Sequence, residues 1–329
     1  MNRKVFVTGG TGFIGGHVVR QLVERGDKVV ALVRPSSDLT PLGALPIEIV
    51  VGDIRDIDSF IDSLTGLDEM YHVAADYRLW ARNPIELYES NISGTRNVLE
   101  AARKRGVPKV VYTSTVGCLG IPSAGKSGDE DTPVKREQMV GNYKKSKYDA
   151  EQIALQYADA GLGVVIVNPS TPIGPGDTKP TPTGAIIVNF LQGKIPAYVD
   201  TGLNLVAVED VAQGHLLAAE KGVVGEKYIL GGENMTLREI LGTLAEISGR
   251  KAPSIRIPHS IAYAAAAASE MFAAFRGGEP SISIESVRMS CKKMFFSPVK
   301  AIRELGLPQS SVRDALARAV RWFQDKGMV

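Results

Sequence analysis

Cysteine is nearly absent from this chain, whose 329 residues include only Cys118 and Cys291, far apart in the sequence. Two such cysteines cannot supply a disulfide framework or a cysteine-based zinc site, and their scarcity is typical of a reducing compartment. Histidine is also scarce, with four scattered residues and no pair at metal-binding spacing. We therefore expect no metal site.

Long apolar runs and an excess of one charge are missing as well. The longest apolar stretch, residues 261–275, is mostly alanine, and the apolar run at 5–7 is too short for a signal peptide. We expect a cytoplasmic protein with no stable membrane insertion. The formal net charge of +2, from 38 basic and 36 acidic residues, gives no general electrostatic reason to bind nucleic acid.

The first half of the chain alternates short runs rich in valine and isoleucine with helical patterns. Such an alternation favours a parallel sheet covered by helices on both faces, and right-handed crossovers make that sheet doubly wound. The predicted strands cover residues 4–8, 28–33, 47–51, 69–73, 109–113 and 163–167, and the predicted helices cover 12–25, 56–64, 84–105 and 135–160.

The pattern loosens after Asn168. Residues 170–184 are rich in proline, glycine and threonine and are predicted to form a loop, and regular patterns resume at 210–221, 227–230 and 236–248. We therefore predict an α/β protein with a doubly wound parallel-sheet Rossmann domain at residues 1–170, with later contributions near 204–232. A smaller, discontinuous C-terminal substrate region is predicted at 171–203 and 233–329. The alanine-rich helix at 261–275 is read as core packing or as a substrate lid.

A glycine-rich loop follows the first predicted strand directly and opens a helix. Gly9, Gly12 and Gly15 stand at G-x-x-G-x-x-G spacing, with Thr11, Phe13 and Ile14 between them. Glycine allows a tight turn and lets a pyrophosphate approach the helix N-terminus, where free N–H groups favour anions. This strand–turn–helix context predicts a dinucleotide site.

Arg34 follows the second predicted strand, where an NAD-preferring site usually carries an acidic residue for the ribose hydroxyls. A guanidinium suits a 2′-phosphate through charge-assisted, bidentate bonding. We therefore predict NADP(H) in preference to NAD(H). The alternative is an ordinary solvated arginine.

Two aspartates follow the third predicted strand. A carboxylate at the C-terminal end of a strand can accept a hydrogen bond from an adenine amino group, or it can cap the next helix. We assign Asp53 to the adenine and Asp56 to the cap.

A tyrosine and a lysine in a helical pattern form the sequence Y-x-x-x-K. Tyr143 and Lys147 lie four residues apart, which places them on one helix face. A nearby ammonium favours the phenolate and should lower the pKa of Tyr143, which would suit general acid/base catalysis. Hydroxyls at the end of the fifth predicted strand, Ser114 and Thr115, would lie beside the cofactor.

Taken together, these residues resemble the extended short-chain dehydrogenase/reductases, also called the NAD-dependent epimerase/dehydratase family, over essentially the full chain. The resemblance implies a catalytic triad of Thr115, Tyr143 and Lys147, with Lys147 also holding the nicotinamide ribose. It implies a nicotinamide pocket lined by Asn168, Pro169 and Ser170. Further family traits that imply cofactor contacts lie at Ile54, Ala74, Ala75 and Asn91.

Some stretches are similar to one subfamily, the hopanoid-associated sugar epimerases, which also resemble dihydroflavonol reductases. The similarity implies a sugar epimerase or dehydratase linked to hopanoid biosynthesis. The alternative is an NADPH-dependent, dihydroflavonol reductase-like ketone reductase acting on a bulky apolar substrate. The substrate is in either case a small molecule, a sugar or a lipid-linked compound, and the long helices at 84–105 and 135–160 allow a homodimer. Candidate substrate-binding residues are Asp76, Tyr77, Trp80 and Thr171.

One position departs from the pattern of the nucleotide-sugar epimerases in this family. These enzymes usually carry an arginine, which clamps the diphosphate, about five residues before the valine of a V-x-D motif. Counting back from Val208, this chain has Leu203 there. Either Arg288 or the pair Lys292 and Lys293 takes over that contact, or the substrate carries no nucleotide diphosphate.

Overall fold

The computed structural model describes residues 3–78, 84–122, 126–276, 278 and 282–329. In these residues, strands and helices alternate through the first half of the chain. The strands are β1 (Lys4–Thr8), β2 (Lys28–Val33), β3 (Glu48–Val51), β4 (Glu69–His72), β5 (Lys109–Thr113), β6 (Val164–Pro169), β7 (Thr171–Ile173), β8 (Ala197–Tyr198), β9 (Gly202–Ala207), β10 (Lys227–Leu230), β11 (Glu233–Thr236) and β12 (Ile255–Arg256). The helices are α1 (Phe13–Glu24), α2 (Pro84–Tyr88), α3 (Gly94–Arg105), α4 (Gly141–Asp159), α5 (Pro182–Leu191), α6 (Val208–Lys221), α7 (Leu237–Ser248), α8 (His259–Arg276), α9 (Ile284–Ser290), α10 (Val299–Leu305) and α11 (Val312–Asp325).

The central element is a seven-stranded sheet in the order β3-β2-β1-β4-β5-β6-β10, with every neighbouring pair parallel. The order runs outward in one direction from β1 and in the other from β4, so the chain switches direction between these two strands. In such sheets, ligands bind in the crevice outside the carboxyl ends of the strands at this switch point. The predicted doubly wound α/β fold is confirmed.

Both faces of the sheet are buried along its inner strands, which explains their near-continuous apolar sequences, whereas the edge strand β3 is largely exposed. Val5 and Val7 of β1 pack into a cluster with α1 and α6, whereas Phe6 points to the opposite cluster with α3 and α4. Successive side chains of a strand point to opposite faces, so β1 contributes to both cores. The loops at the carboxyl edge are thereby held on a rigid frame.

A smaller layer lies beside this sheet. It contains a three-stranded sheet in the order β11-β9-β7 and a β8-β12 pair, with α5, α7 and α11 around a third apolar cluster. Helix α6 begins where β9 ends and returns to the main sheet, against α1. The division at 171–203 and 233–329 into a substrate region stays a prediction.

Several predicted boundaries are wrong. The segment predicted as a helix at 56–64 forms two short 3₁₀ turns, Ile57–Ser59 and Ile61–Leu64. The helix predicted at 135–160 begins only at Gly141, whose φ of 82° breaks the regular backbone after a separate turn at Arg136–Gln138. The segment predicted as a loop at 170–184 contains β7 and the start of α5, where Pro182 occupies a first-turn position that tolerates proline.

Helix α8 carries the alanine-rich stretch. Ala262, Ala266 and Ala273 are buried, in agreement with core packing, but the side chains of Phe272 and Phe275 are exposed to 58% and 93%. Packing therefore accounts for only one face of this helix.

Candidate active site

The glycine-rich loop has a backbone that only glycine can supply at two positions. Gly9 has a φ of 76°, and a Cβ atom there would lie 2.6 Å from the backbone nitrogen of Ala74. A Cβ atom on Gly15 would lie 2.1 Å from the carbonyl oxygen of Gly9. Gly12 closes the turn by donating its N–H to that same carbonyl, at 2.9 Å. The backbone of the loop therefore lies in close contact with the segment that follows β4.

The loop and the start of α1 fit the pyrophosphate of a dinucleotide. Helix α1 begins at Phe13, and within the described part of the chain no side chain caps its first turn. Its first N–H groups are thus available to an anion. Ile14 packs against the core and anchors the turn, while Thr11 is only partly buried.

The opposite end of the predicted cofactor site contains two buried polar atoms that lack a hydrogen-bond partner among the described residues. They are Oδ1 of Asn168 and Oγ of Ser170, at the end of β6. Pro169 lies between them as the last residue of that strand. Buried polar atoms are almost always satisfied, so their placement here fits a polar ligand such as a nicotinamide.

Arg34 and Asp53 are close enough to interact at the edge of the sheet. Arg34 is exposed just after β2, and its charge helps to lower the pKa of Asp53. The main cause of that lowering is Arg55, whose guanidinium bonds to the Asp53 carboxylate at 2.7 Å. Asp56 accepts a hydrogen bond from the backbone of Asp58, so the predicted cap is confirmed. The neighbouring Ile54 packs against Gly94.

The segment after β4 is connected to α4 by Asn91. Ala74, Ala75 and Asp76 form this segment, and the Asn91 amide exchanges two hydrogen bonds with the Asp76 backbone, at 2.7 and 2.9 Å. Asn91 also donates to the Ser146 hydroxyl of α4 at 2.9 Å. It lies on a π turn, Glu89–Ser93, of the kind often found at functional sites. Its cofactor contact stays a prediction.

Thr115 and Tyr143 meet where β5 and α4 approach each other. Burial raises the pKa of Tyr143 above its ordinary value, and the nearby Thr115 hydroxyl lowers it by a smaller amount. Thr115 also accepts from the Gly117 N–H at 3.1 Å. The expectation of a lowered Tyr143 pKa is therefore wrong for this arrangement, since desolvation outweighs the influence of the Thr115 hydroxyl.

Lys147 is buried one turn further along α4. Its ammonium donates to the Tyr112 hydroxyl at 2.9 Å and to the Thr113 carbonyl at 2.8 Å. Burial lowers its pKa to about 8, partly opposed by the Glu151 carboxylate. Lys147 is thus held by β5, on the same helix as Tyr143.

Glu151 is a site residue that the sequence analysis missed. It is buried at the base of the site, where it accepts hydrogen bonds from the Ser114 hydroxyl and, at 2.8 Å, from the Asn168 amide. The available signal was its spacing, because a residue four positions after Lys147 shares its helix face.

A second missed carboxylate lies near Tyr77. Asp177 is buried, and burial raises its pKa to about 6, although it accepts hydrogen bonds from Thr181 at 2.8 to 3.0 Å. Burial raises the pKa of Tyr77, and the charge of Asp177 raises it further. The other candidate substrate-binding residues lie as follows. The Asp76 carboxylate forms an ion pair with Arg78 at 2.6 Å, and Thr171 is the first residue of β7. Trp80 lies outside the described residues.

Comparisons with known proteins agree with this geometry. The NAD dependent epimerase/dehydratase family matches residues 5–231. A Synechocystis sp. protein named dihydroflavonol 4-reductase is 49% identical, over 98% of this chain and 95% of that protein. The chain belongs to the NAD-dependent epimerase/dehydratase family, the extended short-chain dehydrogenase/reductases. The chain is therefore a member of an enzyme family that uses a nicotinamide dinucleotide as cofactor.

Relatives of this chain carry names that denote different functions. The chain is similar to sterol demethylase protein B of Methylococcus capsulatus, at 36% identity over 98% of this chain and 99% of that protein. A crystal structure of PA4631, a nucleoside-diphosphate-sugar epimerase from Pseudomonas aeruginosa, superposes with a TM-score of 0.83 at 27% identity, covering 100% and 99% of the chains. The family membership alone leaves redox and epimerisation both open.

The position of the family's diphosphate-binding arginine is apolar here. Leu203 lies on β9, pairs with Met235 of β11, and packs against the apolar cluster of the smaller layer. The next residue, Asn204, is fully buried and donates to backbone carbonyls of Gly232 and Phe296. This strand thus presents no cation at that point.

His72 is a core residue at the end of β4. It is fully buried, its two ring nitrogens contact Thr8 at 2.8 Å and Thr95 at 3.0 Å, and burial lowers its pKa to about 3. Within the described ranges, no three potential ligand side chains form a metal site. No helix in the described part is long and apolar enough to cross a membrane.

Proposed function

We propose that the protein is an NADPH-dependent reductase that converts a ketone on a bulky, apolar substrate into a secondary alcohol. The observation that carries this proposal is the apolar environment of Leu203, in the place of a diphosphate-binding cation. The similarity to proteins named dihydroflavonol 4-reductase and sterol demethylase protein B, names that refer to polycyclic compounds, supports it.

The glycine-rich loop at Gly9–Gly15 and the polar atoms of Asn168 and Ser170 would hold a reduced nicotinamide dinucleotide, which when bound would supply a hydride to the carbonyl carbon. Tyr143 donates the proton to the carbonyl oxygen, and Thr115 donates a hydrogen bond to the same oxygen, so the product is the alcohol. The influence of the Thr115 hydroxyl on the pKa of Tyr143 supports a shared contact of both hydroxyls with the ketone oxygen. Lys147 supplies the positive charge on the same helix.

We also infer NADP(H) in preference to NAD(H), because Arg34 is exposed beside Asp53 at the predicted ribose end of the site. Replacing Arg34 with glutamate should remove a charge-assisted bond to the 2′-phosphate and repel it. We expect the ratio of NADPH to NADH efficiency to fall by roughly tenfold or more. An unchanged ratio would show that Arg34 does not select the cofactor.

The second candidate is a sugar epimerase or dehydratase, with the link to hopanoid biosynthesis that the subfamily resemblance implies. The likeness to the Pseudomonas epimerase favours it. An epimerase would retain its cofactor and return the hydride to the same substrate in each turnover.

Mass spectrometry of molecules that co-purify with the protein separates these candidates, followed by an assay at 340 nm with apolar ketones. The reductase proposal predicts bound NADPH or NADP⁺, no sugar nucleotide, and one NADPH consumed per alcohol formed. Bound UDP- or dTDP-sugar that is converted without net change in NADPH would instead establish the epimerase.

The prediction of a homodimer concerns the paired helices on one face of the sheet. Helices α3 and α4 pack against each other there. We propose that this face forms a twofold interface, and light scattering coupled to size-exclusion chromatography gives the mass directly. A mass near 35 kDa would exclude the dimer.

A further inference from the structure

A small cavity beside Tyr143 combines apolar walls with three cationic side chains. It encloses about 70 Å³ between the segment that follows β5 and the segment around α9. Its apolar lining includes Leu119, Ile121, Met139, Met289 and Met294, and its cations are Lys144, Arg288 and Lys292. We call this space the cationic cavity.

Lys144 is a partly buried cation with a weak hydrogen-bond partner. Its ammonium has one hydrogen-bond contact in the described part of the chain, to the Met294 sulfur at 3.8 Å. A thioether is a weak acceptor, and burial of a charge is costly unless it is paired. Burial lowers the pKa of Lys144, and the nearby charge of Lys292 lowers it further.

The other two cations of the cavity are also unpaired within the described residues. Arg288 and Lys292 form no side-chain ion pair there, whereas the adjacent Lys293 pairs with Asp200 at 3.2 Å. The carboxylate that faces this group is Glu285, which interacts with Lys144, Lys145 and Arg288. One carboxylate against three lining cations leaves the cavity positive.

The cationic cavity starts next to the reacting position. Gly117 lies between the two, because the position of a Cβ atom on it would be 3.4 Å from the Thr115 hydroxyl and 3.5 Å from Cε of Lys144. Lys144 is also the residue after Tyr143 in the sequence. A ligand whose oxygen meets Thr115 and Tyr143 can therefore extend directly into the cavity.

We propose that the cationic cavity binds a carboxylate of the substrate, which would make the substrate an apolar oxo acid with its acid group a few bonds from the ketone. The carboxylate pairs with Lys144, supported by Arg288 and Lys292, and only the few carbon atoms that join it to the ketone lie against the apolar lining. This inference rests on the proposed reductase function for the ketone alone.

The size of the cationic cavity favours a carboxylate over a diphosphate. Its 70 Å³ is room for only a few water molecules. A carboxylate fills such a space and accepts several hydrogen bonds, whereas a nucleoside diphosphate needs two phosphate positions and a passage for the nucleoside.

The test measures binding without turnover. The probes are 4-oxo-4-phenylbutanoate, its methyl ester and inorganic diphosphate, titrated by calorimetry into the full chain saturated with NADP⁺. We expect the acid to bind at least tenfold more tightly than the ester, because the ester lacks the charge-assisted hydrogen bonds. The Lys144→Met variant should abolish that preference, and Lys144→Arg should retain most of it.

Lys145→Met is the matched control, because Lys145 is the neighbouring lysine on the same helix but does not line the cavity. It should keep the preference of the wild-type protein, and Arg288→Gln provides a second reading should Lys144→Met fail to fold. Equal binding of acid and ester, a preference unaffected by both cavity variants, or tighter binding of diphosphate than of the acid would overturn the proposal. In a separate assay with NADPH at 340 nm, failure to reduce an acid that binds would overturn the reductase function for this ketone and leave the carboxylate site intact.

Discussion

The part of the site proposed to bind the nucleotide and the part proposed to carry out catalysis differ in their chemical groups. On the nucleotide side, Gly9 and Gly15 define the loop through their backbone, and the charged pair of Asp53 and Arg55 lies near the surface. On the catalytic side, Lys147 and Glu151 are buried and shift each other's pKa values. Both sides lie at the carboxyl edge of the same sheet.

This difference separates binding from chemistry. A site made of backbone and exposed charge depends on close approach, so changes there should affect cofactor affinity. A site made of buried ionisable groups depends on desolvation and on neighbouring charges, so changes there should affect rate, pH dependence and stability. The following predictions test whether changes in the two parts of the site affect cofactor affinity and reaction rate separately.

Replacing Tyr143 with phenylalanine should have the largest effect. Without the phenol, the ketone oxygen has no proton donor, and we expect kcat to fall about 10²- to 10⁴-fold. The dissociation constant of NADPH, measured by fluorescence titration, should stay within a factor of two or so of the wild type, because the nucleotide side is untouched. A variant that keeps a tenth or more of the activity would remove Tyr143 from its proposed role.

Asp177 should make stability depend on pH. Its pKa is raised from 3.8 to about 6, so the folded protein holds this proton more tightly than the unfolded chain. The resulting stabilisation is complete below pH 4 and is lost as the pH rises through 6, to a total of about 3 kcal/mol at most. Asp177→Asn should lack this loss.

Urea unfolding at pH 4.5 and at pH 7 gives the free energy of unfolding at each pH. The difference between these two free energies should be smaller in Asp177→Asn than in the wild type. An equal difference in free energy between the two pH values in both proteins would mean that folding does not raise the pKa of Asp177.

Gly15→Ala should weaken cofactor binding without changing the chemistry. The added Cβ would lie 2.1 Å from the Gly9 carbonyl, and such overpacking costs about 1–3 kcal/mol. We expect a tenfold or greater rise in the KM for NADPH, with kcat little changed at saturation. Gly242→Ala is the control, because a Cβ atom there meets nothing within 4 Å. A similar rise in KM for both variants would contradict a role of close approach in the loop.

The same contrast explains what the sequence could and could not predict. The strands β1, β2 and β5 were predicted to the residue, because buried parallel strands are short apolar runs with sharp ends. The glycine loop was predicted because its motif is local. The triad residues were proposed from the family pattern, and the contact of Thr115 with Tyr143 brings two of them together.

The sequence could not predict features that depend on distant contacts. The shifted pKa of Tyr143 depends on how completely α4 is covered, and the Y-x-x-x-K spacing carries no information about that. Asp177 belongs to a proline- and glycine-rich segment that looked like an ordinary loop, yet Thr181 and α5 fold over its carboxylate. The cationic cavity joins Lys144 to residues about 150 positions away.

The smallest expected effect tests whether buried charges really set the chemistry. Burial lowers the pKa of Lys147 to about 8, and the Glu151 carboxylate partly opposes that lowering. Activity should therefore fall as the pH rises through 8, because the ammonium group of Lys147 loses its proton. Glu151→Gln removes the charge and should move that alkaline limb of kcat/KM down by roughly one unit. Asp149→Asn, on the same helix but in a surface pair with Arg136, should leave the limb in place. A limb that shifts in both variants would reflect general damage to α4, and one that shifts in neither would assign the alkaline limb to a group other than Lys147.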